Sequence, residues 1–243
     1  MEHLAERLAR IPGVLAVTLG GSRARGDERP DSDWDFGLYY RGRIDPADVR
    51  ALGFEGTVVA PGEWGRLVNG GAWLTVDGVR VDLLYRDLDT VEHWTREAEA
   101  GRFEIDLVEG YLAGMATYVL PGELALAKVL VGEVPRPVFP DALRRTAPPR
   151  WFGSAAFSLA VAEKRAGIGD AATCAGLLAK AVLAAAQGRL AGRGEWALNE
   201  RNIAARAGLG AAATLLAAVG TREQELRQAV GRTRLALALE SDA

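Results

Sequence analysis

The stretch that decides the fold reads Gly20-Gly21-Ser22-Arg23-Ala24-Arg25-Gly26-Asp27-Glu28-Arg29-Pro30-Asp31-Ser32-Asp33-Trp34-Asp35. An apolar run, Val14–Leu19, comes before it, and a second apolar run at residues 36–40 follows it. Two short apolar runs around a glycine-flanked polar segment are typical of two strands joined by a turn. The pattern therefore predicts a strand, a turn and a second strand that opens with two carboxylates.

The two carboxylates, Asp33 and Asp35, are separated by a single residue. Residues i and i+2 of a strand point to the same face, so Asp33 and Asp35 are predicted to project together while Trp34 points into the core. Neighbouring carboxylates repel each other, and a hard divalent cation bound by their oxygens relieves that repulsion. The pair therefore predicts a Mg2+ site.

The turn before the carboxylates has the composition of an anion-binding loop. Gly20 and Gly21 allow the backbone to come close to a ligand. Ser22 adds a hydroxyl group and is predicted to start a short helix, whose free N–H groups suit phosphate oxygens. A phosphate-binding turn next to a metal-binding pair is the combination that nucleotide chemistry requires.

The spacing Gly21-Ser22, ten residues, then Asp33-x-Asp35 resembles the signature of the polymerase-β-like nucleotidyltransferase superfamily. Within it, Gly-Ser-Arg-Ala-Arg-Gly followed by Ser-Asp-Trp-Asp is similar to two branches. One branch contains the antibiotic nucleotidyltransferases of the aminoglycoside and lincosamide types. The other contains the minimal nucleotidyltransferases, some of which are antitoxins.

The resemblance implies a third carboxylate on a later strand of the same sheet, and Asp82 is the candidate. Asp82 lies in the second arm of a predicted hairpin whose turn is Asp77-Gly78, a favoured two-residue turn. Alternation along the strand places Arg80 on the same face as Asp82. A salt bridge to Arg80 or another arginine is the alternative explanation for a half-buried aspartate here.

The resemblance also implies the rest of the site. Two Mg2+ ions would be held by Asp33, Asp35 and Asp82, and a nucleoside triphosphate, ATP, would be the co-substrate. The predicted nucleotide-binding residues are Gly21, Ser22, Arg25 and Lys180. Lys180 is included because a lysine of the helical half reaches the triphosphate in several members of the superfamily. The alternative explanation is that Lys180 buries its aliphatic stem and keeps its ammonium group at the surface.

The second half of the chain reads as helical beyond two proline-rich segments, residues 134–140 and Pro148-Pro149. We predict an α+β protein, with an N-terminal nucleotidyltransferase mixed sheet and flanking helices followed by a C-terminal α-helical bundle. The predicted domains are residues 1–145 and 146–243. Kanamycin- and lincosamide-type enzymes are similarly built.

The charge and cysteine content of the chain indicate which partners and which cellular compartment to expect. The net charge of −3 and pI near 5.6 argue against nucleic acid and suit a cationic small molecule. A single cysteine, Cys174, excludes internal disulfides and fits a reducing compartment, so a cytoplasmic location is expected. The start does not resemble a signal peptide and no apolar run reaches membrane length, so we expect no membrane association.

The first functional hypothesis is transfer of AMP from ATP to a hydroxyl of a small molecule, such as an aminoglycoside-like antibiotic, with release of pyrophosphate. Antibiotic resistance and a homodimer follow from the resemblance alone. The general base is Asp82 or a glutamate, with Glu104, Glu109 and Glu123 as candidates. The alternative is a toxin–antitoxin component that nucleotidylates or binds a partner protein or RNA.

Overall fold

The computed structural model of the protein describes residues 1–26 and 28–238. The chain divides into two compact units. The first consists of Met1–Arg96 and Leu120–Val138, and the second of Glu97–Val119 with the described residues of Phe139–Ala243. The predicted boundary between residues 145 and 146 stays a prediction.

The strands, in chain order, are β1 (Val14–Leu19), β2 (Trp34–Tyr40), β3 (Glu55–Val58), β4 (Gly71–Val76), β5 (Val79–Asp87), β6 (Ile105–Asp106), β7 (Met115–Ala116) and β8 (Lys128–Gly132). The helices are α1 (Glu2–Leu8), α2 (Gly21–Arg25), α3 (Pro46–Arg50), α4 (Gly65–Val68), α5 (Leu88–Glu99), α6 (Val119–Leu126), α7 (Asp141–Ala166), α8 (Ala171–Arg193), α9 (Ile203–Arg206), α10 (Gly210–Leu215) and α11 (Glu223–Leu237). The predicted α+β class, a mixed N-terminal sheet followed by helices, is confirmed.

The first unit is built on a sheet of six strands in the order β3-β4-β5-β2-β1-β8. Strands β2 and β5 pair in parallel, and the other neighbours pair antiparallel. The predicted hairpin is present as β4 and β5. Its turn residues, Asp77 and Gly78, have φ of 52° and 77°, the left-handed conformation that a type I′ turn needs at both central positions.

One face of this sheet packs on α1 and forms the core of the unit. Leu4 and Leu8 lie on the same side of α1 because they are four residues apart, and both are completely buried. They belong to one apolar cluster with Phe36, Leu38 and Leu83 from the central strands. Since side chains alternate along a strand, Asp35 and Asp82 fall on the opposite face.

The second unit is organised around α7 and α8, with α11 packed against both. Pro148-Pro149, expected in a connection between domains, instead lies inside α7. Proline removes helical hydrogen bonds and clashes with the preceding turn. The helix nevertheless continues because Leu143, Ala147 and Trp151, at i, i+4 spacing, bury an apolar face.

Helix α8 corrects the expectation that no apolar run reaches membrane length. By length and composition it meets the measure for a membrane-spanning helix, with a mean hydropathy of 1.3 over an 18-residue window. Half of that window is buried inside the protein, as in a core helix. Residues such as Leu178, Ala181 and Ala185 are completely buried.

Candidate active site

Asp33 and Asp35 lie where the chain enters β2. Asp33 immediately precedes the first residue of the strand, Trp34, and Asp35 is its second residue. Trp34 packs against the apolar core, and its ring is stacked on Phe36 with centroids 6.2 Å apart. The sequence prediction that Trp34 points to the core side, away from the carboxylates, is therefore confirmed.

Asp82 is brought beside Asp35 by the parallel pairing of β2 and β5. In that register Asp35 lies directly opposite Asp82. Register partners of neighbouring strands point to the same face, so the two carboxylates share the face opposite α1. Burial, followed by the charges of Asp35 and Asp33, raises the pKa of the Asp82 carboxyl from 3.8 to about 6. The three aspartates thus form one electrostatically coupled group.

Arg80 forms its ion pair with Asp33. The Arg80 Nε atom lies 2.8 Å from Asp33 Oδ1. The two groups are close enough for an ion pair, but their orientation does not make a hydrogen bond. Within the described part of the chain, the buried Asp33 Oδ1 atom accepts no hydrogen bond. The salt bridge considered for Asp82 is therefore made by Asp33 instead, and Arg80 is only the weakest influence on the pKa of Asp82.

Gly21 makes the approach of the turn to Asp35 possible. Its φ is +63°, and a Cβ at this position would lie 1.7 Å from Asp35 Oδ2. The Gly20 N–H donates to the Asp35 carbonyl oxygen at 2.7 Å, which ties the turn to β2. Only glycine combines this backbone conformation with the space that the carboxylate occupies. Ser22, the second residue of α2, is half-buried beside it.

Arg23 lies beside the carboxylates, although its place in the sequence motif predicted no role for it. Its guanidinium donates to the carbonyl oxygens of Ser32 at 2.8 Å and Asp33 at 3.2 Å. It also lies 4.5 Å from the centroid of the Trp34 ring. Arg23 therefore holds the returning arm of the turn against α2 and sets the position of Asp33. Arg25, predicted to bind nucleotide, is exposed at the end of α2.

The residues present fit a divalent cation by their chemistry. The three carboxylates are acceptor-only groups, Asp33 Oδ1 is buried without a hydrogen bond, and their mutual repulsion is the kind that a cation relieves. Among residues 1–26 and 28–238, no three histidine, cysteine, aspartate or glutamate side chains form a ready-made metal-binding group as they lie.

Replacing Asp82 with asparagine is expected to stabilise the metal-free protein at pH 7.5. Because the pKa of Asp82 is raised on folding, ionisation of Asp82 destabilises the folded protein. This destabilisation grows as the pH rises from 3.8 to about 6 and is complete above that. After allowance for solvent screening we expect a gain of about 1 kcal/mol. Urea unfolding of both proteins between pH 4 and pH 8 measures it. The gain should shrink toward zero as the pH falls to 4, and a pH-independent difference would contradict the assignment.

The glutamates proposed as general bases fall in both units, and their role as bases stays a prediction. Glu104 and Glu109 are exposed residues of the second unit. Glu123, in the first unit, forms a two-pronged ion pair with Arg86, at 2.5 Å and 2.9 Å. The Arg86 side chain is only 4% exposed. Lys180 is a half-buried residue of α8 in the second unit.

Replacing Glu123 with glutamine is expected to destabilise the protein by about 3 kcal/mol, because it leaves the buried Arg86 charge without its carboxylate. Urea unfolding measures the loss. Glu92→Gln is the matched control, since Glu92 pairs with the half-exposed Arg41 and should contribute less than about 1 kcal/mol. Equal effects of the two substitutions would show that the Arg86–Glu123 pair has no special role.

A separate cleft lies in the first unit. Its lining includes Tyr40, Asn69, Tyr85 and Arg86, and none of Asp33, Asp35 or Asp82.

Comparison with known families supports this reading of the N-terminal part. Residues 1–99 match the family model described as a nucleotidyltransferase domain. This segment is a nucleotidyltransferase domain of the polymerase-β-like superfamily. The match contains α1 to α5, and with them Gly21, Ser22 and all three aspartates. The resemblance inferred from the Gly-Ser and Asp-x-Asp spacing is confirmed.

Among solved structures, a nucleotidyltransferase-like protein from Exiguobacterium sibiricum is similar to this chain at 13% identity and a TM-score of 0.47. The match covers 97% of this chain and 72% of that one. No curated protein matches the sequence.

Proposed function

We propose that this protein is a Mg2+-dependent enzyme that transfers AMP from ATP to a hydroxyl group of a small molecule and releases pyrophosphate. The acceptor class that we propose is an aminoglycoside-like antibiotic. The single observation that carries the proposal is the pairing of Asp35 with Asp82 beside Gly21, because it gathers acidic oxygens next to a close backbone turn. The nucleotidyltransferase domain match supports the reaction class.

In this proposal Asp33, Asp35 and Asp82 would hold the Mg2+ ions, and Gly21, Ser22 and Arg25 would contact the phosphates. Bound Mg2+ would supply charge neutralisation at the phosphates and a lower pKa for the acceptor hydroxyl. Lys180 stays a prediction from the resemblance, and no step depends on it.

The transfer is a displacement at the α-phosphorus of ATP. The acceptor oxygen forms the new bond to phosphorus, and the bond to the bridging oxygen breaks, so that its electron pair leaves with pyrophosphate. We assign the hydroxyl proton to an Asp82 carboxylate oxygen. Asp82 is favoured over Glu123 because the Glu123 carboxylate already accepts two hydrogen bonds from Arg86.

The experiment combines α-labelled ATP, Mg2+ and a panel of hydroxylated antibiotics with the full chain, and Asp33→Asn serves as the inactive control. Label on a small molecule supports the proposal and identifies the acceptor. Label on protein favours the toxin–antitoxin alternative. If no member of the panel is labelled, the proposal is contradicted. A role in antibiotic resistance, a cytoplasmic location and a homodimer stay predictions, and sedimentation analysis of the purified chain tests the last.

A further inference from the structure

A transverse row of side chains crosses the carboxylate face of the sheet and ends in an exposed tryptophan. Register places Asp35 opposite Asp82, and Asp82 opposite Trp73 on β4. Neighbouring strands are about 4.8 Å apart, so Trp73 lies one strand from Asp82 and two strands from Asp35. Gly21 stands at the other end of the row, against Asp35. The order is therefore turn, Asp35, Asp82, Trp73.

Trp73 is exposed and held in place at the same time. Its side chain is 53% exposed. The ring packs against Trp64, with centroids 4.5 Å apart and planes tilted by 31°. Trp64 lies over β4 at Gly71, where an added Cβ would be 3.1 Å from Trp64 Cζ3. A loop hydrogen bond also holds Trp64, since its backbone N–H donates to the Asn69 carbonyl oxygen. The pair is a preorganised aromatic surface, which we call the tryptophan platform (Trp64 and Trp73).

The position of the platform indicates which substrate it meets. In the proposed function, the triphosphate lies at the Gly21 end of the row, so pyrophosphate departs on that side. The attacking and leaving oxygens are roughly in line at the phosphorus, so the acceptor comes from the opposite side. That side is occupied by Asp82 and then Trp73.

The charges around the platform indicate the chemistry of the acceptor. Asp33, Asp35, Asp82 and Glu55 lie on or beside this face. Its β5 arginines are both paired with carboxylates, Arg80 with Asp33 and Arg86 with Glu123. Tryptophan faces attract cations and cover the apolar faces of rings. An acidic surface with an exposed tryptophan suits a ring-shaped polyol that carries ammonium groups.

We propose that Trp73, supported by Trp64, binds the ring of a cationic, hydroxylated acceptor and sets the specificity of the transfer. This inference rests on the proposed function for the identity of the reaction. Trp73 acts in binding the acceptor, so its loss should raise the acceptor KM and leave the ATP KM unchanged.

The test compares the full-length wild type with Trp73→Ala and Trp73→Phe. The acceptors are aminoglycosides and their N-acetylated, uncharged counterparts. Trp73→Ala is expected to raise the acceptor KM about tenfold, and Trp73→Phe, which keeps an aromatic face, less than about threefold. Trp94→Ala is the matched control, because Trp94 is a partly exposed tryptophan of α5 and should change neither KM. N-acetylation should raise the acceptor KM of the wild type.

The outcomes separate this inference from the proposed function. One outcome is that the wild type transfers label while Trp73→Ala raises the ATP KM; another is that Trp73→Ala changes neither the ATP KM nor the acceptor KM. Either result overturns the platform assignment and leaves the transferase activity standing. If only the uncharged acceptors are labelled, the cationic class is overturned. If nothing is labelled, titration calorimetry with kanamycin as probe decides. Binding that Trp73→Ala abolishes supports the platform, and absence of binding overturns it.

Discussion

Asp35→Asn and Asp33→Asn are each expected to lower nucleotide transfer about a thousandfold. Each substitution removes a charged oxygen from the coupled group and replaces it with an amide that binds Mg2+ poorly. A loss of about 4 kcal/mol of transition-state stabilisation corresponds to that factor. Label transfer from α-labelled ATP at saturating Mg2+ measures the rates. The fold should survive, because Asp33 and Asp35 lie outside the apolar core.

The control for these variants is Asp31→Asn in the same loop. Asp31 pairs loosely with Arg29 at 3.6 Å, and its side chain is 75% exposed. Its substitution should leave transfer unchanged, and circular dichroism should show all three variants folded. A folded Asp35→Asn protein with wild-type activity would remove the basis of the site assignment.

Gly21→Ala is expected to reduce transfer at least about a hundredfold, because 1 Å misplacement of a reacting group is enough for such a loss. The new methyl group would occupy the position of Asp35 Oδ2, so the carboxylate must move away from the row that it shares with Asp82. The substitution also places a side chain at a φ of +63°. The left-handed backbone adds a destabilisation of about 1 kcal/mol.

Gly26→Ala separates the two effects of that substitution. Gly26 also has a left-handed conformation, with φ of +73°, but a Cβ there meets nothing within 4 Å. Both variants should lose the free energy of unfolding that the left-handed backbone costs, with a further loss in Gly21→Ala from the displacement of Asp35. Only Gly21→Ala should lose transfer. Parallel losses of activity in the two variants would attribute the effect to strain in α2 and not to Asp35.

Local sequence determined the strand, turn and strand around the carboxylates. The apolar runs on either side define β1 and β2, and the glycines define the turn, because these preferences depend on a few neighbouring residues. The same holds for the β4–β5 hairpin, whose Asp77-Gly78 turn specifies its own geometry. The Asp-x-Asp spacing was enough to place Asp33 and Asp35 together and Trp34 on the core side.

Local preferences do not bring Asp82 to this pair: the resemblance named it, and tertiary structure places it. Asp82 lies beside Asp35 only because β2 and β5 pair in parallel in one particular register, and a slip of one residue would turn Asp82 to the other face. The same register brings Arg80 beside Asp33. The β4–β5 hairpin, whose register is set by its own turn, aligns Trp73 with Asp82. Glu123 likewise pairs with Arg86, a partner distant in the sequence. Such pairings depend on contacts between distant segments, which local preferences do not encode.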